Sequence, residues 1–342
     1  LKRLYIVVIA IFIGLLLGEA AVRLAGLAPE VAVISVGRFR LSEHRDIAYE
    51  PVPDLEISGK LNPFDEFRGR SNSLGYRDRE HEKEKPAGTF RIVVIGDSIS
   101  VGLKVDKLFD IYPLKLEQLF SAAGKNVEVI NFGVSGYNTQ QEVATLVHRG
   151  MAFSPDLVLL QYALNDKQRD DGGIVDTLIK KEHATEGYDT TIFPHIVHQS
   201  ALYRFVVYGV VGGGLRGLRK ALVVSLTRLY SDSVEESLDR LRRTVGTQRA
   251  KVLVVAFPGF STDRRSPDLP KRFRALSHQY SRLEKLTQKF GFSYLDLRTA
   301  FRNCAAETRK PFGHDIFHPT AAGHACAAKA IEQYLLAKKL VP

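Results

Sequence analysis

A chain of 342 residues, 45% hydrophobic and 25% charged, has ample apolar material for one large folded domain with embellishments, or for two small ones. A disordered chain is excluded. The net charge of +10 favours an acidic partner such as anionic lipid or polysaccharide. Nucleic acid ranks last, because the basic residues are scattered and form no RRM signature, zinc-finger spacing or dense basic run.

The N-terminus carries the first element. Lys2 and Arg3 precede an uninterrupted run of apolar residues and glycine from Leu4 to Leu17. A basic start and an apolar middle fit a secretory signal or an uncleaved signal-anchor. Continuing through "EAAVRLAGL" gives about 20 residues, enough to span a bilayer with Glu19 and Arg23 at the interface. "GEA" is a poor cleavage site beside an A-x-A pattern. Residues 1–27 are therefore read as a membrane anchor, with a soluble body outside the cytoplasm, in the periplasm or at the cell surface. The competing reading, a buried amphipathic helix of a cytosolic protein, is disfavoured by so long an apolar run.

Residues 28–89 look irregular. They carry Pro51, Pro53 and Pro63 and the polar cluster "RGRSNSLGYRDREHEKEK". This predicts an extended leader with turns, not an independent domain. From residue 90 the pattern changes. Strands are predicted over 91–95, 127–132, 157–162, 251–257 and 293–297. Helices are predicted over 108–123, 139–150, 271–290 and 319–340, the last with Pro319 in its first turn. Strands that alternate with helices, and are apolar on nearly every residue, predict an α/β domain over 90–342. Its parallel sheet is covered on both faces.

The alternation breaks between about 167 and 248. The stretch "SALYRFVVYGVVGGGLRGLRKALVVSLTRLY" interleaves apolar residues with Arg204, Arg216, Arg219, Lys220 and Arg228. It reads as an insertion of one or two helices, either a cap over the sheet or a basic amphipathic helix on a membrane surface. Gly212, Gly213 and Gly214 break a long helix and favour the cap. Cys304 and Cys326 are too few for a disulfide framework and lack metal-site spacing. They are either a disulfide, if the body lies outside the cytoplasm, or two buried thiols.

In an open parallel sheet, ligands bind beyond the carboxyl ends of the strands. There the chain places Gly96-Asp97-Ser98-Ile99-Ser100, then Asn131-Phe132-Gly133-Val134-Ser135-Gly136-Tyr137-Asn138, then Ala163-Leu164-Asn165-Asp166. His314-Asp315-Ile316-Phe317-His318 comes just before the last helix. Acyl transfer needs such groups. A serine hydroxyl is a weak nucleophile and needs a base within hydrogen-bond reach, usually a histidine oriented by a carboxylate. The developing oxyanion needs preorganised donors. Ser98, His318 and Asp315 supply the first set, and Gly136 and Asn165 are candidate donors. Asp97 and Asp166 are read as supports for their loops. His148, His314 and His324 are poorer bases, with His314 also a candidate for orienting substrate. No H-x-x-x-H or C-x-x-C pair is present, and no metal or cofactor is expected.

These four blocks, in this order, resemble those of the SGNH hydrolases, also called GDSL esterases. "GDSIS" is similar to the nucleophile block around Ser98. "NFGVSGYNT" is similar to the block whose glycine N–H joins the oxyanion hole, best aligned to Gly136, with Gly133 as the alternative. "ALND" resembles the Gly-x-Asn-Asp block and gives Asn165, with Ala163 where the family usually has glycine. "DIFH" resembles the Asp-x-x-His block and gives Asp315 and His318. The resemblance covers roughly 90–340 without the insertion. It implies a three-layer α/β/α sandwich with a central parallel sheet, flavodoxin-like, and an esterase mechanism. The N–H groups of Ser98 and Gly136 and the side chain of Asn165 would hold the oxyanion. The expected substrate is an ester, first of all a short acyl group such as acetyl on a glycan. An O-acyltransferase acting on a polysaccharide, a lipase or phospholipase-like enzyme and a non-catalytic glycan-binding protein are the alternatives. G-x-S-x-S lacks the second glycine of the nucleophile elbow, which argues against an α/β-hydrolase fold.

Overall fold

A computed structural model describes residues 2–25, 38–44, 46–57, 69–164, 200–206, 233–261, 265, 267, 277–307 and 311–342. In chain order its elements are α1 (Lys2–Ala25), β1 (Phe39–Leu41), β2 (Tyr49–Pro51), β3 (Glu56–Ile57), β4 (Gly69–Arg70), β5 (Phe90–Ile95), α2 (Ser98–Val101), α3 (Tyr112–Ala122), β6 (Val127–Asn131), α4 (Thr139–His148) and β7 (Leu157–Tyr162). They continue with α5 (Ala201–Arg204), α6 (Ser233–Gly246), β8 (Lys251–Ala256), α7 (His278–Phe290), β9 (Ser293–Asp296), α8 (Arg298–Glu307) and α9 (Ala321–Ala337). They fall into two compact units, one of residues 1–33 with 180–231 and one of residues 34–179 with 232–342.

In the smaller unit, α1 leaves a ring of large apolar side chains exposed, among them Ile6, Ile9, Phe12 and Leu16. Its segment Tyr5–Ala25 has a mean hydropathy of 2.5 and is long and apolar enough to cross a membrane. Glu19 turns its carboxylate to the start of α5. It accepts hydrogen bonds from the Ala201 and Leu202 N–H groups, each at 2.8 Å, and from the Ser200 hydroxyl at 2.7 Å. The first N–H groups of a helix have no partner within it, and an acidic side chain satisfies them well.

The larger unit is built on a five-stranded, all-parallel sheet in the order β6-β5-β7-β8-β9. Successive strand residues point to opposite faces, and both faces are covered. Ile92, Val94, Leu157, Leu159, Leu253 and Val255 pack with Tyr112, Leu116 and Phe120 of α3, Phe301 of α8, and Ile331 and Leu335 of α9. Val93, Ile95, Val158, Leu160, Val252 and Val254 pack with Val143 and Leu146 of α4, Leu238 and Leu241 of α6, and Leu283 of α7. The result is a three-layer α/β/α sandwich. The strand order reverses between β5 and β7, which opens a crevice at their carboxyl ends.

Several boundaries differ from those expected. The helix predicted over 108–123 splits at Ile111 into a 3-10 turn, Leu108–Asp110, and α3. Pro113 is the cause, because proline lacks an N–H and suits only the first turn of a helix. The helix predicted from 271 is described from His278 onward, and 271–276 lie outside the described residues. Helix α8 was not anticipated. Within the interval read as an insertion, α6 buries Leu238, Leu241 and Val245 in the core of the sandwich. Residues 167–199 and 207–232, with Arg216, Arg219, Lys220, Arg228 and the three glycines, lie outside the described residues.

The described part of the leader, from residue 38 on, belongs to the same unit. β1 pairs with β2 and β3 with β4, each antiparallel. Phe39, Ile47, Tyr49 and Tyr76 enter the core on the α4 side. Arg91, fully buried at the start of β5, binds the leader from below. Its guanidinium donates to the Lys83 and Glu82 carbonyls, each at 3.0 Å, to the Phe153 carbonyl at 2.7 Å and to Glu128 at 2.6 Å.

Cys304 on α8 and Cys326 on α9 form a disulfide, with Cα atoms 6.4 Å apart and a sequence separation of 22. Closing a loop of that size is expected to stabilise the fold by about 3 kcal/mol, chiefly by restricting the unfolded chain. A thermal melt of Cys304→Ser/Cys326→Ser should fall below wild type by about 5–10 °C. An unchanged melting temperature would show that the bridge constrains nothing.

Candidate active site

Strand β5 leaves the sheet at Ile95 and turns through Gly96 into α2. A side chain at Gly96 would put its Cβ 2.5 Å from Gln161 Oε1, so glycine here leaves room for the Gln161 and Ser100 side chains to pack against the backbone. Asp97 caps α2, its Oδ1 accepting from the Ile99 N–H at 2.8 Å. Ser98 thereby becomes the first residue of the helix, only 8% exposed. Ser100, two residues on, is held inside. It donates to Gln161 Oε1 at 2.9 Å and meets the Tyr112 hydroxyl at 2.7 Å. Of the two serines, Ser98 is the one whose hydroxyl faces a histidine, His318.

The end of α2 is fixed by a residue that sequence reasoning missed. The Arg77 guanidinium, buried under the helix, donates to four backbone carbonyls: Val101 at 2.9 Å, Gly102 at 2.8 Å, Val105 at 2.6 Å and Asp106 at 3.1 Å. The fixed fork of an arginine suits such a set of converging acceptors. Nothing in the polar run around Arg77 distinguished it from its solvated neighbours.

The second strand end packs against the first. Asn131 donates from Nδ2 to the Ser100 carbonyl at 2.9 Å and accepts from the Gly133 N–H at 3.1 Å. Gly133 is buried against α2, where an added Cβ would lie 2.5 Å from the Ser100 Cβ. Gly136 instead is exposed at a positive φ of 81°. The two glycines thus differ in kind: one permits close packing, the other presents bare backbone to solvent. Asn138 then opens α4 with a capping box shared with Gln141.

Before α9 the chain makes a tight turn, bridged between Gly313 and Pro319 and closed by the His314 N–H donating to the His318 carbonyl at 2.7 Å. This turn brings His318 Nε2 to 2.9 Å from Ser98 Oγ, across 220 residues of sequence. On its other side, His318 Nδ1 lies 2.9 and 2.8 Å from the two Asp315 oxygens. Asp315 Oδ1 also accepts from the Phe317 and His318 N–H groups, each at 2.9 Å. Burial works against the Asp315 charge, but the hydrogen bonds from His318 and the turn outweigh it and hold the carboxyl far below the usual range. An ionised Asp315 requires the proton on Nδ1, which leaves the Nε2 lone pair facing the Ser98 hydroxyl. Lys104 reaches the rim, 3.2 Å from Asp315 Oδ2.

Two other groups sit close by. Burial, then the Lys104 charge, lower the pKa of His314. Glu142 of α4 is fully buried, and burial, then the charge of Asp97, raise the pKa of its carboxyl well above the ordinary value. The polar run Asn138-Thr139-Gln140-Gln141 before it gives no sign of this burial in the sequence. Of the remaining histidines, His148 pairs with Asp46 and stacks on His44, with ring centres 3.8 Å apart. His324 is buried in α9, accepts from the Tyr112 N–H at 3.1 Å and is pushed down to about 3 by burial. Asn165 and Asp166 lie outside the described residues.

A family model for GDSL-like lipases/acylhydrolases matches residues 94–326, more than half of the chain. The chain belongs to this family. It is an SGNH-type serine ester hydrolase. Among solved structures, the hydrolase is similar to the acetyl xylan esterase AlAXEase, with 15% identity, 72% of this chain and 100% of that one covered, and a TM-score of 0.46. It is also similar to Axe2, an acetylxylan esterase from Geobacillus stearothermophilus, with 19% identity, coverage of 71% and 93%, and a TM-score of 0.45. For TesA the values are 15%, 73% and 99%, and 0.45. No curated protein matches the chain.

Proposed function

We propose that Ser98, His318 and Asp315 are the catalytic triad of an esterase that removes a short acyl group, acetyl first of all, from a glycan or similar polymer outside the cytoplasm. The observation that carries this is the unbroken chain of hydrogen bonds from Ser98 Oγ through the imidazole to Asp315. In the first step His318 Nε2 takes the Ser98 proton as Oγ bonds to the ester carbonyl carbon. The carbonyl oxygen becomes an oxyanion, held by the Ser98 and Gly136 N–H groups and the Asn165 side chain. The C–O bond to the alcohol then breaks, and His318 returns the proton to the leaving oxygen. Water repeats the sequence on the acyl-serine, releasing the acid and restoring Ser98. Asp315 keeps the ring in one tautomer and stabilises its cation. Asp97 and Asp166 act as supports for the loops carrying Ser98 and Asn165.

An open setting leaves room for a bulky alcohol. The side chains of His318 and Asp315 are 19% and 34% exposed, and Gly136 is open to solvent. The disulfide suits an oxidising compartment, and α1 suits an anchor or a signal that delivers the body there. Labelling with a fluorophosphonate, followed by peptide mapping, tests the triad. Label on Ser98, absent from Ser98→Ala, and acetate released from an acetylated polysaccharide are the expected results. A folded protein that takes no label would refute the assignment.

A further inference from the structure

Resting on that reading of the site, we propose that Tyr49 of the leader is a positioning residue that aims the Gly136 N–H at the oxyanion. The Tyr49 side chain is fully buried, and its hydroxyl donates to the Ser135 carbonyl at 2.9 Å. That carbonyl and the Gly136 N–H belong to one peptide group. The group is planar and trans, so its C=O and N–H point in opposite directions. Pinning the carbonyl inward on Tyr49 therefore turns the N–H outward, on the exposed side of the loop.

The same bond does more than orient. A hydrogen bond accepted by a carbonyl polarises its amide and strengthens the N–H as a donor. The positive φ of Gly136 makes this useful, because a glycine peptide is otherwise the freest to rotate. Tyr49 is itself held at several points. Its ring lies edge-on between Phe39 and Tyr137, each centre 5.2 Å away. The Tyr137 hydroxyl donates back to the Tyr49 carbonyl. Two residues earlier, the Ile47 carbonyl accepts from Gln141 Nε2 at 2.9 Å, at the start of α4. The leader thus grips the Gly136 loop on both sides.

The test compares Tyr49→Phe with Tyr280→Phe in the full chain, using p-nitrophenyl acetate. Tyr280 is a matched control, a buried tyrosine whose hydroxyl donates to the Phe257 carbonyl at 3.0 Å. Tyr49→Phe is expected to lower kcat about tenfold, less than the 10²–10³ typical of losing an oxyanion donor outright, with KM unchanged. Tyr280→Phe should keep the wild-type kcat. Equal losses in both variants, or none in Tyr49→Phe, would overturn the proposal. A wild type that neither turns over nor takes the fluorophosphonate would end the esterase reading and this one together. That outcome differs from an active wild type indifferent to Tyr49. The unaltered chain offers a check that needs no variant: the Ser135 carbonyl carbon should resonate at a hydrogen-bonded shift by NMR, and a free-carbonyl shift there would refute the contact.

Discussion

Ser98→Ala is expected to lower kcat/KM by about 10⁴–10⁶ while leaving the fold intact, because triad members act as a unit and removing the nucleophile removes covalent catalysis outright. The structure explains why the fold should survive. The Ser98 hydroxyl has His318 as its partner, whereas the turn it stands on is built by others. Asp97 caps the helix, Gly96 permits the approach of Gln161, and Arg77 holds the carbonyls at the far end. None of these contacts uses Ser98 Oγ. Steady-state kinetics beside a thermal melt checks both halves. A variant that melts like wild type and keeps more than a few per cent of its rate would remove Ser98 from the mechanism.

Asp315→Asn is expected to cost about 10⁴ in kcat, the loss that follows when the orienting acid no longer fixes the tautomer. An asparagine Oδ1 can still accept from the Phe317 and His318 N–H groups, so the turn should keep its shape. The other half of the side chain would change from acceptor to donor. His318 would then carry its proton on Nε2, facing Ser98, and lose its power to take the serine proton. Because the carboxyl of Asp315 is held far below its ordinary range, it stays ionised wherever the enzyme is folded near neutrality. Kinetics of Asp315→Asn with KM unchanged and kcat reduced would carry the assignment. Near wild-type turnover would leave Asp315 a turn-stabilising residue only.

Strands 91–95, 157–162 and 251–257 are plain in the sequence because burial on both faces makes nearly every position apolar, Arg91, Gln161 and Lys251 excepted. The blocks around Ser98, Gly136 and His318 were plain because a site at strand ends needs small and polar residues where a core would not use them. Helix α8 was not visible: it is short, follows β9 directly and buries only Phe301 among its residues. The sequence leaves the pairing of Cys304 with Cys326 open, since two cysteines carry no geometry.

The sequence by itself determined the layered α/β architecture, the apolar N-terminal helix and the residue types that meet in the site. These rest on local periodicity and on short motifs, which a linear string records directly. Only the tertiary structure decided the roles of the leader. A polar run that reads as solvated chain places Arg77 beneath the Ser98 helix, and a lone tyrosine at 49 reaches the peptide before Gly136. It also separated Gly133 from Gly136, one buried and one bare. The physical reason is common to all of these. A hydrogen bond between residues 86 apart leaves no periodicity behind, and its donors look like any surface side chain until the chain has folded around them.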